Sequence, residues 1–372
     1  MSASIKSYES WLLPSPIPEE PLPGIELPLC LKAVLIRRGI DNKEKAKEYL
    51  SPSELPNPEE HYPDLKIAIS RIKKAIINEE KIAICGDYDA DGMTSTALLL
   101  KAFNALGAEA IAAIPNRIEE GYGLNEDMVK RLSDQDISLI ITVDNGVGAF
   151  KSIEKAKSLD IDVILTDHHE VKDKAPDSLA FIHPSTTPIN SPYRDLAGVG
   201  LAYLLAETLS RDFKITAITK DSLDLFCLGT IADMAPLSGS NRYLLLKGLS
   251  TMHNTTCFGL QALYKLSGLE NEEVNADDIG FQIAPRINAV GRIGNPDMIL
   301  NLLTETDEIK ANKIAGECDN LNRTRRLMCS EVESEAFSLI ESDNANLPDF
   351  ILIAQSHWHS GIIGIVASRI VE

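Results

Sequence analysis

The stretch from residue 81 to residue 92 reads KIAICGDYDADG and joins an apolar run to a cluster of acidic residues. Lys81 to Cys85 has the continuous apolar character of a strand that is covered on both faces. Alternate residues of an extended chain project the same way, so Asp87, Asp89 and Asp91 are predicted to share one small volume. Three such carboxylates repel one another unless cations lie between them, and oxygen ligands favour Mg²⁺ or Mn²⁺. A solvated acidic turn is the alternative.

Three later segments repeat this pattern of apolar residues with a polar cluster. In open parallel sheets, ligands gather beyond the carboxyl ends of the strands, which is where these polar residues are predicted to lie. The four segments together therefore favour a single metal site. The later members are Asp144 before Asn145-Gly146, Asp167-His168-His169 after the run 163–166, and Asp233 within the small apolar stretch 228–234.

Each of these residues also has an interpretation that involves no metal. Asp144 before Asn-Gly is typical of a turn, and Asp167 could cap a following helix. His168 and His169 cannot both face one way on a strand, so we expect one to bind metal while its neighbour has another task. Asp233 is harder to explain without a site, because a buried carboxylate needs a partner.

The alternation of strand and helix patterns predicts an α/β fold, a parallel sheet with helices on both faces. Strands are expected at 81–85, 110–114, 140–143, 163–166 and 179–182, with helices at 67–77, 94–106, 197–211 and 222–252, the last carrying Asp233 partway along. The N-terminus of helix 94–106 would add a favourable dipole for a phosphate. Before them lies a proline-rich lead with one helical segment at 31–50.

The sequence of the last part of the chain predicts a long helix, followed by the start of a second α/β domain. Apolar residues recur every three or four positions between Asp307 and Ser342, which suits a connecting helix; a dimerising coiled coil is the alternative. A strand at 350–354 and a further helix are expected next. Because the sequence stops within that helix, we expect a truncated chain.

Composition limits the classes of protein to consider. The formal net charge of −19 argues against tight non-specific binding to duplex DNA, since such proteins carry a basic footprint. Local positive charge is present at Lys310, Lys313, Arg323, Arg325 and Arg326, which a solvated helix face explains equally well. No apolar run spans a membrane, and no secretory signal is visible. The six cysteines show no paired spacing, which suggests reduced thiols and a cytoplasmic location.

The motifs together resemble those of the DHH phosphoesterase superfamily, whose name describes Asp167-His168-His169. Within it the chain is most similar to the RecJ family, bacterial exonucleases specific for single-stranded DNA. The resemblance divides the chain into a lead (1–66), a DHH catalytic domain (67–305), a connecting helix (306–344) and an incomplete DHH-associated substrate-binding domain (345–372). Further similar stretches are 120–124, 196–200, 229–236, 285–292 and 358–364.

The resemblance also implies roles for individual residues. Metal ligands are expected at Asp89, Asp91, Asp144, His168 and Asp233, with Asp87 close by and His169 binding phosphate or assisting the leaving group. Substrate contacts are expected from Arg286, Asn288, Arg292, His359 and Ser360, although a salt bridge or surface solvation is the alternative for the arginines. Ser360 stands where relatives carry proline, which puts the rigidity of that loop in doubt.

The function implied is 5′-to-3′ hydrolysis of single-stranded DNA in DNA repair and recombination. The hypothesis places two Mn²⁺ or Mg²⁺ ions about 3.5–4 Å apart, bridged by Asp144, with Tyr122 and Trp358 as candidates for base stacking. Possible protein partners are a helicase and a single-strand-binding protein, with no membrane involved. The alternatives are a pyrophosphatase, a phosphodiesterase for oligonucleotides or cyclic dinucleotides, and an inactive fragment or scaffold.

Overall fold

The computed structural model describes residues 14, 16–115, 120–216, 218, 220–270, 272–342 and 350–371. The chain divides into two compact units, residues 1–54 and residues 55–372. The smaller unit contains helices α1 (Leu29–Arg37) and α2 (Lys43–Leu50). The prediction of one helical segment at 31–50 is therefore wrong. Gly39 takes a φ of 82° after α1, a conformation that favours glycine and ends a helix, and the Asn42 side chain caps the start of α2.

A five-stranded parallel sheet forms the centre of the larger unit. The strand order is β2-β1-β3-β4-β5, and the register pairs Ile84 with both Ala112 and Ile141. Because all strands run the same way, their carboxyl ends meet at one edge of the sheet. The predicted parallel sheet is confirmed, with strands β1 (Lys81–Cys85), β2 (Ala110–Ala113), β3 (Ile137–Thr142), β4 (Asp162–Thr166) and β5 (Ala180–Ile182).

Helices cover both faces of this sheet, as predicted. Alternate strand residues point to opposite faces, so Ile82 and Ile84 join one core cluster while Ala83 and Cys85 join the other. The first face is covered by α3 (Leu65–Ile77), α4 (Ala90–Ala105) and α7 (Gly198–Phe213), and the second by α5 (Glu126–Ser133) and α6 (Phe150–Ser158).

A mainly helical layer follows the sheet in the chain. The predicted helix 222–252 is in fact two helices, α8 (Lys220–Ala232) and α9 (Gly239–Met252). They separate because Met234 takes a left-handed φ of 59° just after Asp233, which therefore lies at a helix end and not partway along a helix. The layer continues with α10 (Phe258–Ser267), α11 (Ala276–Asp278), a π-helix (Ile279–Ile283), α12 (Ala284–Ile293) and α13 (Asp297–Thr304).

The predicted long helix is confirmed as α14 (Glu308–Ser342), which packs on α10, α12, α13 and the final helix α15 (Ser360–Val371). The strand predicted at 350–354 is wrong: these residues take no regular structure and pair with no strand in the described part of the chain. An extended segment becomes a strand only when a neighbour satisfies its backbone groups. Among the described residues, no helix has both the length and the apolar character that crossing a membrane requires.

Candidate metal centre

The acidic motif lies in the connection between β1 and α4. The prediction that its three aspartates alternate on extended chain is wrong, because the helix begins at Ala90. Asp87 lies in the loop, Asp89 caps the helix and Asp91 lies in its first turn. The Asp89 carboxylate accepts hydrogen bonds from the backbone N–H groups of Asp91 and Gly92, both at 3.0 Å. The three carboxylates still come together, but through a capped helix start.

Asp144 follows β3 in a backbone conformation that is uncommon for residues other than glycine. Its φ is 61°, a left-handed value that stores strain and is found preferentially at functional sites. The neighbouring Asn145 side chain holds this turn: its amide donates to the carbonyls of Cys85 and Val143, both at 2.9 Å. The turn predicted from Asn-Gly is therefore present, and it places a buried carboxylate at the carboxyl edge of the sheet.

The DHH motif follows β4 as a loop, and no helix begins there for Asp167 to cap. The buried Asp167 carboxylate instead accepts hydrogen bonds from the backbone N–H groups of Val147, His168 and His169. It also contacts His169 Nδ1 at 2.8 Å. Since the two histidines are not on a strand, both rings approach the same acidic cluster, with centroids 4.6 Å apart.

The four segments converge on one small volume. His168 Nε2 lies 2.9 Å from Asp144 Oδ1 and 3.6 Å from Asp91 Oδ2, while His168 Nδ1 lies 3.9 Å from Asp233 Oδ2. Asp144 and His168 each belong to two of the three groups whose ligand atoms lie within 4.8 Å of one another. These groups are Asp144-His168-His169, Asp91-His168-Asp233 and Asp87-Asp89-Asp144.

The charges of this cluster are unfavourable for the protein alone. Burial, followed by the nearby carboxylates, raises the pKa of Asp91 and of Asp144 well above the usual range, and the same two causes raise the pKa of Asp233 to about 6. Burial and the neighbouring His169 lower the pKa of His168 to about 4, which leaves that imidazole neutral and able to coordinate metal. A cation would relieve the repulsion between the carboxylates.

Asp91 is held in place by the start of α7. The backbone N–H groups of Gly198 and Val199 donate to its two carboxylate oxygens at 2.7 and 2.8 Å. Residue 198 must be glycine for this approach, since an added Cβ would lie 2.7 Å from Asp144 Cβ and 2.9 Å from Asp91 Oδ2. Each carboxylate oxygen keeps a further lone pair for another partner.

Comparison with known proteins identifies the family to which the chain belongs. A family model described as "DHH family, N-terminal domain" matches residues 81–230. The chain is 41% identical over 91% of its length to the single-stranded-DNA-specific exonuclease RecJ of Bacillus subtilis, of which it covers 43%. A crystal structure of exonuclease RecJ bound to manganese superposes with a TM-score of 0.76 and 33% identity, over 83% of this chain and 77% of the other. The chain belongs to the RecJ family of DHH proteins.

A second solved structure agrees. RecJ from Thermus thermophilus in complex with Mn²⁺ matches at a TM-score of 0.77 and 30% identity, over 91% of this chain and 48% of the other. The chain spans about 43% of the length of its B. subtilis relative. The predicted family and fold are confirmed, whereas the predicted division into four domains and the roles of single residues stay predictions.

The predicted substrate residues have contacts within the protein. Arg286 Nε donates to Asp319 Oδ1 at 2.9 Å, so the salt-bridge alternative is present for this residue. Asn288 Oδ1 accepts from the Ala90 N–H at 2.9 Å and thereby supports the acidic motif. Arg292 Nη1 donates to the Gly361 carbonyl at 3.4 Å, and His359 Nδ1 accepts from the Gly361 N–H at 3.0 Å. Ser360 begins α15. Their contacts with DNA stay predictions.

The two aromatic candidates have different contacts, and those of Tyr122 are with residues of this RecJ-family site. The Tyr122 hydroxyl donates to the Asp144 carbonyl at 2.9 Å, and its ring lies 6.1 Å from the rings of both Tyr88 and His169. Trp358 Nε1 instead donates to Glu335 Oε2 on α14. Of the basic residues predicted on α14, Arg323 pairs with Asp319 and Arg325 donates to Asn322.

Sequence reasoning missed the supporting groups of the site. The sequence predicts a helix cap as one role for Asp167, yet this carboxylate orients His169; its position just before two histidines at a strand end is the signal for that role. His183 is not predicted as part of the site either, although its Nε2 donates to the His169 carbonyl at 2.8 Å. The backbone N–H groups of Gly198 and Val199, which hold Asp91, could not be predicted from the sequence, because every residue except proline carries the same backbone donor.

Proposed function

We propose that the chain contains the catalytic site of a metal-dependent exonuclease that hydrolyses single-stranded DNA from the 5′ end. The observation that carries this proposal is the convergence of carboxylates and imidazoles from four separate segments on one volume, Asp144 and His168 being shared between ligand groups. Family membership supports the reaction and the substrate, since the relatives are exonucleases specific for single-stranded DNA.

The donor set fits divalent cations. Buried oxygen ligands with one or two imidazoles and no thiolate suit Mn²⁺ or Mg²⁺, and the raised pKa values of Asp91 and Asp144 mark the place where positive charge is needed. Two ions would be held by Asp89, Asp91, Asp144, His168 and Asp233, with Asp87 close by. When bound, such ions activate water as a nucleophile and neutralise charge on the phosphate.

His169 is the residue best placed to handle a proton or a phosphate oxygen. Its hydrogen bond to Asp167 raises the pKa of this imidazole despite partial burial, so a larger share of His169 is protonated near neutral pH. Because Nδ1 is engaged with Asp167 at 2.8 Å, Nε2 is the atom left to contact substrate. About half of the His169 side chain is exposed, which allows that contact.

The setting of the reaction is a proposal of the same kind. The family resemblance suggests a role in DNA repair and recombination, together with a helicase and a single-strand-binding protein. Cytoplasmic location fits the six cysteines, all of which are free thiols.

The test combines one ligand variant with two substrates. Wild-type protein with Mn²⁺ should release mononucleotides from the 5′ end of a labelled single strand and no phosphate from pyrophosphate. Asp144→Ala should abolish the release while the far-ultraviolet circular dichroism stays unchanged, and Asp134→Ala, an exposed carboxylate at the end of α5, should behave as wild type. Full turnover by Asp144→Ala, or phosphate release in place of nucleotide release, would overturn the proposal.

A further inference from the structure

At the C-terminal end of α8, two consecutive side chains point in different directions, one towards the metal centre and one into solvent. Asp233 directs its carboxylate to His168, 3.9 Å from Nδ1, whereas the next side chain, Met234, is 88% exposed. The Met234 N–H donates to the Ile231 carbonyl and the Ala235 N–H donates to the Thr230 carbonyl. This pair of bonds is the Schellman motif, whose left-handed position is usually occupied by glycine. Here Met234 occupies it with a φ of 59°.

A methionine at that position is unfavourable twice. A left-handed backbone costs a residue with a Cβ more than it costs glycine, and the 88% exposed Met234 buries little apolar surface in the protein. Glycine would satisfy the same turn at lower cost. The side chain itself is therefore expected to have a task outside the fold.

A second exposed apolar residue lies on the element that packs beside this turn. Phe281 is 75% exposed in the π-helix 279–283, and π-helical turns are frequent at functional sites. This π-helix packs on α8: a Cβ at Gly280 would lie 3.9 Å from Ile231 Cγ2. Its neighbours Ile279 and Ile283 are buried, so the turn directs Phe281 outward while anchoring on both sides.

The same helical segment reaches the metal centre at its other end. The π-helix continues directly into α12, where Asn288 contacts the backbone of the acidic motif. Met234 is likewise next in the chain to a candidate metal ligand. Two exposed apolar side chains thus lie on adjacent elements that each contribute a residue to the metal centre or to its support, Asp233 on the first and Asn288 on the second.

We propose that Phe281 and Met234 form a stacking surface for one unpaired base of the strand held at the metal centre. The inference rests on the proposed function and adds a residue-level basis for its preference for single strands. A base offers both faces for stacking only when it is unpaired and unstacked, and aromatic rings bind such faces without regard to sequence. Methionine sulfur contributes further favourable contacts with aromatic groups.

Variants can separate this role from a structural one because the two roles predict opposite signs. Met234→Gly removes a strained backbone position, so its melting temperature should rise, yet its Kd for a fluorescent oligothymidylate with Mn²⁺ should increase. Phe281→Ala should raise the Kd about fivefold to a hundredfold, the range that alanine substitution at base-stacking aromatics gives. Phe281→Trp should restore binding and Phe281→Leu should not. Ile77→Ala is the matched control, a 69% exposed residue that ends α3 at the amino end of the sheet.

A strand carrying a single abasic nucleotide, moved stepwise from its 5′ end, identifies the base. Wild-type protein should lose affinity at one position, and Phe281→Ala should no longer distinguish that position. Calorimetric binding of Mn²⁺ should be the same in all variants. If wild type binds the strand and both Phe281→Ala and Met234→Gly bind as Ile77→Ala does, the stacking surface is wrong and the proposed function stands. If wild type neither binds nor cleaves the strand, both proposals are overturned.

Discussion

Asp144 at the edge of the sheet and Asp224 in the helical layer are both buried carboxylates, and burial raises the pKa of each. Their surroundings differ. Asp144 is crowded by the carboxylates of Asp91, Asp89 and Asp87 and lies 2.9 Å from an imidazole nitrogen. Neither oxygen of Asp224, on α8, makes a hydrogen bond of ordinary geometry among the described residues. Burial raises its pKa, and the nearby Thr255 side chain opposes that rise.

This difference shows how to recognise a site among buried charges. A single buried carboxylate can be neutralised by taking up a proton when its pKa rises. Several carboxylates around one volume, with a neutral histidine among them, accept a divalent cation more readily than several protons. The arrangement of donors is therefore more informative than the raised pKa of any one aspartate.

Exchanging each aspartate for asparagine gives the largest expected contrast. Asp144→Asn should lower the rate of single-strand hydrolysis more than about a hundredfold, since even supporting residues of a metal site cost tenfold to a hundredfold. Asp224→Asn should keep the wild-type rate, because Asp224 takes no part in the acidic cluster. Steady-state assays at saturating Mn²⁺ measure both. Equal losses in the two variants would remove the distinction.

The second expected difference between Asp144 and Asp224 is in how much Mn²⁺ stabilises the fold of each variant. Mn²⁺ at a thousandfold above its Kd should stabilise the wild-type fold by about 4 kcal/mol, because the ion binds the folded cluster. Asp224→Asn should keep this increment in thermal unfolding, and Asp144→Asn should lose most of it. An unchanged increment in Asp144→Asn would show that the ion binds elsewhere.

The pH dependence of stability should identify Asp224. Its pKa is raised to about 6 in the folded protein and is about 3.9 when unfolded, so the folded state binds the proton more tightly. Ionisation then destabilises the fold as the pH rises from about 4 to 6, by at most about 3 kcal/mol. The stability of Asp224→Asn relative to wild type should therefore improve over this interval and stay level above it. A difference that does not vary with pH would show that Asp224 titrates normally; the comparison with wild type removes the contribution of the metal-site carboxylates.

Gly198→Ala should give the smallest effect of the four. It should lower the stability of the fold and the affinity for Mn²⁺ together, because Gly198 contacts both Asp144 and Asp91. The added methyl would lie 2.7 Å from Asp144 Cβ, and forcing a carbon into a packed region costs about 1–3 kcal/mol. Asp144 and Asp91 should shift, which weakens Mn²⁺ binding along with stability. Chemical denaturation and calorimetry provide the two measurements. Gly364→Ala is the control, since a Cβ there would meet no atom within 4 Å from beyond its own helical turn in the described part of the chain. Unaltered Mn²⁺ affinity in Gly198→Ala would show that the site tolerates the shift.

The strands were predictable because buried parallel strands are continuous apolar runs. The convergence of the polar side chains was predictable because they follow those runs. The helix start at Ala90 was not predictable, because the same Asp-x-Asp spacing suits an extended chain and a capped helix equally well. The break after Ala232 depends on the left-handed Met234, a position where sequence signals favour glycine. The segment 350–354 has the composition of a strand, but pairing depends on a neighbour that composition does not reveal.

The distribution of thiols gives this chain an internal reporter of local opening. Cys30 is exposed, whereas Cys85 is buried in the sheet, Cys227 and Cys257 in the helical layer, and Cys318 and Cys329 on the long helix α14. An alkylating reagent should therefore modify Cys30 at once and each other sulfur only when its own layer opens. Mass spectrometry of the labelled peptides over time would then rank the sheet, the helical layer and the long helix by their opening rates, without any introduced probe.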